Sequence, residues 1–318
     1  MVSRDKTNQK SIRSMIQENK SSRSQSAVME KVVPKIFLIC AIISIFTTLG
    51  IVFTLLTETF TFFNRVSIVE FFTNTRWFPF TADKNADYGI LALVMGTLTV
   101  TAIAMVVAIP VGLAAAIYLS EYASAKTRKL IKPILEVLAG IPTIVYGFFA
   151  LTFVTPLLDS IIPGGISIFN ALSPGIVVGI MIIPMIASLS EDAMNAVPNS
   201  MREGAMALGA TRFEVAMKVV LPAALSGVMA SFVLGISRAI GETMIVTIAG
   251  GSRPTADINV TESIQTMTAY IVQVSQGDTG YGTTIYYSIY AVGMTLFVFT
   301  LIMNLLAQFI SRKFREEY

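Results

Sequence analysis

Histidine is absent from the 318 residues, and cysteine occurs once, as Cys40. The absence of imidazoles and of a second thiol excludes disulfides within the chain, His or thiolate metal sites, and catalysis that depends on histidine. No G-x-x-x-x-G-K-[ST] motif occurs, so the chain binds no nucleotide in the P-loop manner. Charge is scarce too, since 14% of the residues are charged compared with about 25% in soluble domains. We therefore predict an integral membrane protein with no catalytic residues and no metal site.

Long apolar stretches take up most of the chain, of which 54% is hydrophobic. A helix needs roughly 20 such residues to cross the bilayer core. The predicted fold is an all-α membrane domain over residues 32–318, which follows a solvated tail at residues 1–31. Its six transmembrane helices are expected at 36–56, 89–119, 134–155, 172–190, 219–250 and 286–311.

The distribution of Lys and Arg predicts the orientation, because positive residues near span ends are retained on the cytoplasmic side. Eighteen of them lie in the N-terminal segment and in the segments after spans two, four and six, whereas four lie in the segments between. Both termini are therefore expected in the cytoplasm. The segments at residues 121–133 and 191–218 are expected on the same side of the membrane. The first span is predicted to be a retained signal anchor.

The outer segment at 57–88, rich in Phe and containing Trp77, is expected to form an interfacial aromatic belt or a docking surface.

The cytoplasmic segment at 191–218 carries the most distinctive local pattern. Ser200 and Glu203 have the S-x-x-E spacing of a capping box, and Thr211 with Glu214 repeats the spacing. Gly209 lies between them, where a glycine in the left-handed conformation would end the first helix. The segment is predicted to be a capped helix-turn-helix that exposes Ala205, Met206 and Leu208. It is either a knob for another protein or an inert connector.

The same segment resembles the EAA motif of the permease subunits of ABC importers, which runs E-A-A, Gly, then I-x-L-P. The residues aligned with this motif are Glu203, Gly204, Ala205, Gly209, Val219, Leu221 and Pro222, of which Gly204 and Val219 depart from the pattern. The resemblance implies the type I importer permease fold and a coupling helix that inserts into a cytoplasmic ATPase subunit. It also implies that ATP and magnesium are used by that partner and that no cofactor is bound here.

Further stretches are similar to the phosphate permeases of the PstC family. They are A-A-A-I-Y-L-S-E-Y at 114–122, L-A-G-I-P-T-I-V-Y-G-F-F-A-L at 138–151 and S-R-A-I-G-E-T-M at 237–244. This resemblance implies three kinds of partner: a PstA-like second permease, two copies of a PstB-like ATPase, and an extracytoplasmic PstS-like phosphate-binding protein.

Two charged residues, Arg238 and Glu242, interrupt the fifth span. A charge near the bilayer centre costs at least about 2.5–3.5 kcal/mol and marks a functional site by default. On one continuous helix the two would share a face at i and i+4, so they are predicted to line the substrate pathway. The guanidinium would bind an oxyanion, and the carboxylate would accept a phosphate proton. The alternative is an internal ion pair that only joins helices.

In the third span, Gly140, Pro142 and Gly147 interrupt the apolar run. They indicate either a kink for helix packing or an unwound stretch that lines the pathway with Thr143 and Tyr146.

Taken together, these features predict a permease subunit of an ATP-driven phosphate importer in the cell membrane, which works by alternating access. It is not expected to be an enzyme itself. A permease for another oxyanion, such as sulfate or molybdate, and an ion-coupled secondary transporter remain as alternatives.

Overall fold

The computed structural model describes residues 6–81, 86–277 and 279–313. The predictions for residues 1–5, for Lys84 and for residues 314–318 lie outside these ranges. The chain divides into two units, residues 1–57 and residues 58–318. Each is described by itself.

The first unit is formed by most of helix α1 (Lys6–Phe63). Its part from Val32 onward is long and apolar enough to cross a membrane. The helix begins at Lys6, so residues 6–31 of the predicted tail are helical. These residues contain neither glycine nor proline, the two residue types that most oppose a helix.

The second unit begins with the last turns of α1 and continues through short and long helices. In chain order the elements are α2 (Ile68–Thr73), β1 (Trp77–Phe78), β2 (Asp87–Tyr88), α3 (Leu91–Ile117), α4 (Ala125–Gly140), α5 (Thr143–Phe149), α6 (Thr155–Ile161), α7 (Leu172–Asn195), α8 (Asn199–Ala207), α9 (Arg212–Val215), α10 (Leu221–Ala223), α11 (Leu225–Ile240), α12 (Met244–Ala249), α13 (Met267–Gln276) and α14 (Thr284–Lys313). Single π-helical turns follow α3, α5 and α9, at Tyr118–Tyr122, Ala150–Val154 and Ala216–Val220. The two short strands pair antiparallel.

Helices α3 and α7 form the centre of the second unit and approach each other at backbone distance. A Cβ atom added to Gly175 would lie 2.8 Å from the Cβ of Ile103. One added to Gly179 would lie 2.8 Å from the carbonyl oxygen of Ala104. Small residues are needed at such seams because they let helix backbones pack closely within a membrane.

A cluster of aromatic rings joins the end of α1, the short strands and α13. Trp77 is 1% exposed, and its ring centroid lies 4.8 Å from that of Tyr270 and 5.8 Å from that of Tyr88. Phe62 and Phe71 complete the cluster. The prediction that Trp77 belongs to an interfacial belt is therefore wrong, because contacts distant in sequence bury the ring.

The long apolar helices match the sequence prediction in most places. Within the described ranges, five helices are long and apolar enough to span a membrane, and a bent pair gives a sixth candidate. The five are Val32–Phe63, Leu91–Tyr122, Thr143–Ile161, Leu172–Asn195 and Thr284–Leu306.

The third predicted span, 134–155, is wrong as one continuous helix. α4 ends at Gly140, Ile141 is extended with a ψ of 129°, and α5 starts at Thr143. The residue before a proline disfavours the α conformation, so Pro142 ends one helix and begins the next. The apolar helix that follows is shifted toward Ile161.

The fifth predicted span, 219–250, is likewise not one helix. The segment Arg212–Ala223 meets Leu225–Ile240 at an angle of 74°. A second interruption separates Ile240 from Met244, where α12 starts. The region is therefore a discontinuous helix with two breaks.

Candidate functional site

A cavity of about 550 Å³ lies between α4, α7 and α11. Arg238 lines it from α11, Lys132 and Glu136 line it from α4, and Glu191 lines it from α7. The remaining wall is mostly apolar and includes Leu135, Met181 and Met185. We call this space the Arg238 cavity.

Arg238 lies in the last turn of α11 and is exposed. Among the residues that the structure describes, none forms a hydrogen bond or an ion pair with its guanidinium. A cation in an apolar membrane helix is expected to face protein or water, because placing it in the hydrocarbon is costly. The Arg238 guanidinium is therefore free to bind an anion in this cavity, whose lining also includes the carboxylates of Glu136 and Glu191.

Glu242 lies in the break after α11 and is not on a shared helix face with Arg238. One carboxylate oxygen, Oε1, accepts hydrogen bonds from the backbone N–H groups of Met244 at 3.1 Å and Ile245 at 3.3 Å. The hydroxyl of Thr268 donates to the Glu242 carbonyl at 2.8 Å. The predicted i, i+4 geometry is wrong because the helix ends at Ile240. Glu242 is buried and caps α12.

The two other predicted pathway residues lie just beyond the break in the third span. Tyr146 is buried, and its hydroxyl donates to the Leu138 carbonyl of α4 at 2.8 Å. Thr143 is half-buried at the start of α5. α5 packs against α12 at Gly147, where an added Cβ would lie 2.8 Å from the Ile248 side chain. The two interrupted helices therefore contact each other.

Ion pairs that the sequence did not reveal connect α4 to α7. Glu191 is 1% exposed, and its carboxylate lies 3.1 Å from the Nε of Arg128. Lys132 Nζ lies 3.0 Å from Asp192 and 3.6 Å from Glu191. The hydrogen bond to Asp192 raises the pKa of Lys132 above its ordinary value.

The cytoplasmic segment has the predicted turn between two helices. Gly209 follows α8 and has a φ of +88°. Thr211 accepts a hydrogen bond from the backbone N–H of Glu214, and the Glu214 carboxylate accepts one from the backbone N–H of Thr211. The second predicted capping box and the left-handed glycine are therefore confirmed.

The first predicted capping box is wrong. α8 starts at Asn199, after Pro198, and has no side-chain cap hydrogen bond. Ser200 thus lies inside the helix, because Pro198, with a ψ of 138°, occupies the N-cap position.

Arg202, rather than a cap, holds α8 in place. Its guanidinium donates to the carbonyls of Val197 at 2.6 Å and Met194 at 2.7 Å, and pairs with Glu121 at 3.0 Å. Glu121 lies in the π-helical turn after α3. One arginine therefore fixes the orientation of α8 relative to the ends of α3 and α7.

The tip of the segment exposes apolar side chains, as predicted for Met206 and Leu208. Leu208 is 92% exposed and Met206 46% exposed. Phe213 on α9 is also exposed. Ala205 differs, because it packs partly buried against the cluster beneath α8. The resulting apolar surface around Leu208, with exposed Glu203 and Gly204 nearby, is called the coupling surface below.

The chain matches the family model for the binding-protein-dependent transport system inner membrane component over residues 108–316. It belongs to this family. The matched region includes the Arg238 cavity and the coupling surface. The predictions of a helical importer permease fold and of a membrane permease subunit are therefore confirmed.

Similar proteins include the probable ABC transporter permease protein YqgH of Bacillus subtilis, 36% identical over 79% of this chain and 80% of that protein. The phosphate transport system permease protein PstC of Xylella fastidiosa is 33% identical over 76% of this chain and 78% of that protein. PstC of Mesorhizobium japonicum is 31% identical over 76% and 77%. The predicted similarity to PstC permeases is thus confirmed.

Solved structures show the same fold. The chain aligns with a bacterial alginate ABC transporter, crystallised with a periplasmic protein that holds an alginate pentasaccharide, with a TM-score of 0.61 and 18% identity. That alignment covers 90% of this chain and 98% of the other. An inward-facing MetNI methionine ABC transporter aligns with a TM-score of 0.52 and 19% identity, over 72% and 95% of the two chains.

Proposed function

We propose that this chain forms half of the translocation pathway of an ATP-driven importer for inorganic phosphate. The observation that carries the proposal is the unpaired guanidinium of Arg238 in the cavity between α4, α7 and α11. A planar guanidinium offers paired N–H donors that match two oxygens of a tetrahedral oxyanion. The names of several relatives support phosphate as that anion.

In this proposal Glu242, Tyr146 and Thr143, the other predicted pathway residues, support the helix breaks near the cavity. Glu242, through its cap on α12, sets the geometry of the break next to Arg238. Tyr146 fixes the break between α4 and α5, and Thr143 begins the helix beyond it. Interrupted helices at a binding site let neighbouring elements move separately around a bound ion.

The proposed complex contains a PstA-like second permease, two copies of a PstB-like ATPase and a PstS-like extracytoplasmic binding protein. The ATPase subunits bind ATP and magnesium, and this chain binds no cofactor and has no ATPase site. The coupling surface fits an ATPase groove because its apolar tip projects beyond a turn fixed by Gly209 and a capping box. Closure of the two ATPase subunits would then change access to the cavity.

Uptake by the reconstituted complex tests the substrate. Labelled phosphate should enter vesicles only with ATP and the loaded binding protein, and arsenate should compete because it has the same shape and charge. Sulfate and molybdate in large excess should compete weakly, because the proposed substrate is phosphate. Uptake of sulfate or molybdate in place of phosphate would contradict the substrate. Phosphate uptake driven by an ion gradient without ATP would contradict the transport class.

Labelling of a single cysteine tests the proposed orientation. In a Cys40→Ser background, Leu208→Cys should react with a membrane-impermeant maleimide in inverted vesicles but not in intact cells. The residue is well exposed in this chain, and the permease is expressed without the ATPase subunit so that the proposed partner does not cover it. A cysteine at Ile258, an exposed residue in the segment between α12 and α13, serves as the control and should show the reverse pattern. Labelling of Leu208→Cys from outside intact cells would invert the topology.

A further inference from the structure

Helix α4 is held against α7 by charges and not by buried apolar side chains. None of its residues from Ala125 to Gly140 is buried, and Val137 is 70% exposed. The polar contacts to α7 run through Arg128 and Lys132, which meet Glu191 and Asp192. The position of α4 therefore depends on how these two cations are held.

Arg128 is held firmly. Besides its ion pair with Glu191, its guanidinium donates from Nη2 to the Leu119 carbonyl at 2.6 Å and to the Ser120 carbonyl at 3.3 Å. Its Nε also donates to the Leu119 carbonyl at 3.2 Å. These carbonyls belong to the backbone at the end of α3, so an arriving anion could not displace Arg128 without leaving them unpaired.

Lys132 is held weakly by comparison. Its hydrogen bond to Asp192 is 3.0 Å long, but the Asp192 side chain is 59% exposed, so solvent screens that pair. Its distance to the Oε2 atom of Glu191 is 3.6 Å, and this buried oxygen has no hydrogen-bond partner among the described residues. A lysine ammonium on a flexible stem changes partners readily, unlike a guanidinium fixed at several points.

The weakly held Lys132 lines the same cavity as the unpaired Arg238. Lys132 enters the Arg238 cavity from α4, whereas Arg238 enters it from α11. We propose that Lys132 is a second anion-binding residue of this cavity and that Asp192 and Glu191 compete with the transported oxyanion for its ammonium group. The proposal rests on the transport function proposed above.

The competition links anion binding to the position of a helix. When Lys132 turns from α7 to an oxyanion next to Arg238, the half of α4 near the Ile141–Pro142 break loses its ion pair, whereas Arg128 keeps the other half attached. An anion in the cavity therefore loosens α4 at its C-terminal end. The acidic pair restores the contact after the anion leaves.

Equilibrium binding to the purified importer complex, without the binding protein, tests this role. The probes are labelled phosphate, sulfate and molybdate. Lys132→Met should raise the Kd of the bound oxyanion about tenfold, the effect of one charge-assisted hydrogen bond. Asp192→Asn should lower the Kd by about twofold to threefold, because it removes a competing partner that is exposed and weakly paired. Lys132→Arg should restore binding. Lys129→Met, an exposed lysine on the same helix outside the cavity, is the matched control and should bind like the wild type.

Opposite effects of the two key variants separate anion binding from a purely structural ion pair. If the pair only fixes α4, Lys132→Met and Asp192→Asn break the same contact and change the Kd in the same direction, which would overturn the proposal. Equal Kd values for Lys132→Met and Lys129→Met would also overturn it. If the wild-type complex binds sulfate or molybdate instead of phosphate, only the proposed substrate is contradicted. The Kd values of the variants would then be measured with the anion that binds. Binding of none of the three would contradict both.

Discussion

Replacing Arg238 with alanine is expected to reduce ATP-dependent phosphate uptake by at least about 100-fold. The guanidinium would form two charge-assisted hydrogen bonds with the oxyanion, and their loss costs about 3 kcal/mol or more. Arg238→Lys should restore only part of the rate, since an ammonium group cannot reproduce the paired donors. The measurement is the initial rate of uptake by the reconstituted complex at saturating binding protein.

Folding is not expected to limit this variant. Arg238 is exposed and has no described partner, so its removal leaves no buried charge unpaired. Thermal unfolding, complex assembly and basal ATPase activity should therefore match the wild type. Arg76→Ala, which removes an exposed arginine outside the cavity, is the control and should transport normally. Full uptake by Arg238→Ala would show that the cavity does not carry the substrate.

The second large effect is expected at Gly209 on the coupling surface. Its φ of +88° lies in a region that side chains rarely adopt, and a β-branched residue there carries a strain of about 1–3 kcal/mol. Nothing lies within 4 Å of an added Cβ, so the strain arises in the backbone and not from a clash. Gly209→Val should therefore reorient Leu208 and lower both ATPase copurification and uptake by about tenfold or more.

Gly204→Ala is the matched control for this experiment. Gly204 is exposed within α8, and a Cβ added there also meets nothing within 4 Å. Alanine at this position should stabilise the helix by up to about 1 kcal/mol and keep the ATPase bound. Normal copurification with Gly209→Val, or equal losses with both variants, would mean that the turn does not position the coupling surface.

The sequence predicted those parts of the fold that depend on local patterns. Long apolar runs indicated the membrane helices, and the spacing of Thr211 and Glu214 indicated a cap that the structure contains. The spacing of Arg238 and Glu242 misled, because a four-residue interval fits a helix face but does not show that the helix continues. The interruption at Gly241 depends on contacts such as that between Thr268 and the Glu242 carbonyl, which lie 26 residues apart.

Long-range ion pairs could not be predicted for the same reason. Glu121 and Arg202 are separated by 81 residues, and Lys132 and Asp192 by 60. From the sequence alone, Arg202 and Lys132 could be used only to predict the orientation of the chain in the membrane. No sequence periodicity connects either residue with its acidic partner. The cavity could not be predicted from the sequence either, because its wall is formed by three helices, α4, α7 and α11, that are distant from one another in the chain.

The close seam between α3 and α7 has a mechanical consequence. A side chain at Gly175 or Gly179 would overlap Ile103 or the Ala104 carbonyl, so the two helices pack more closely here than larger residues would permit. We therefore expect the two helices to move together as one rigid unit during a transport cycle. We expect the subunit to bend instead where its helices are interrupted. These interruptions lie before Thr143, at Ala224 and between Ile240 and Met244. The interruption at Ala224, where α10 meets α11, is the nearest of the three in the chain to the coupling surface, which Arg202 also connects to the ends of α3 and α7.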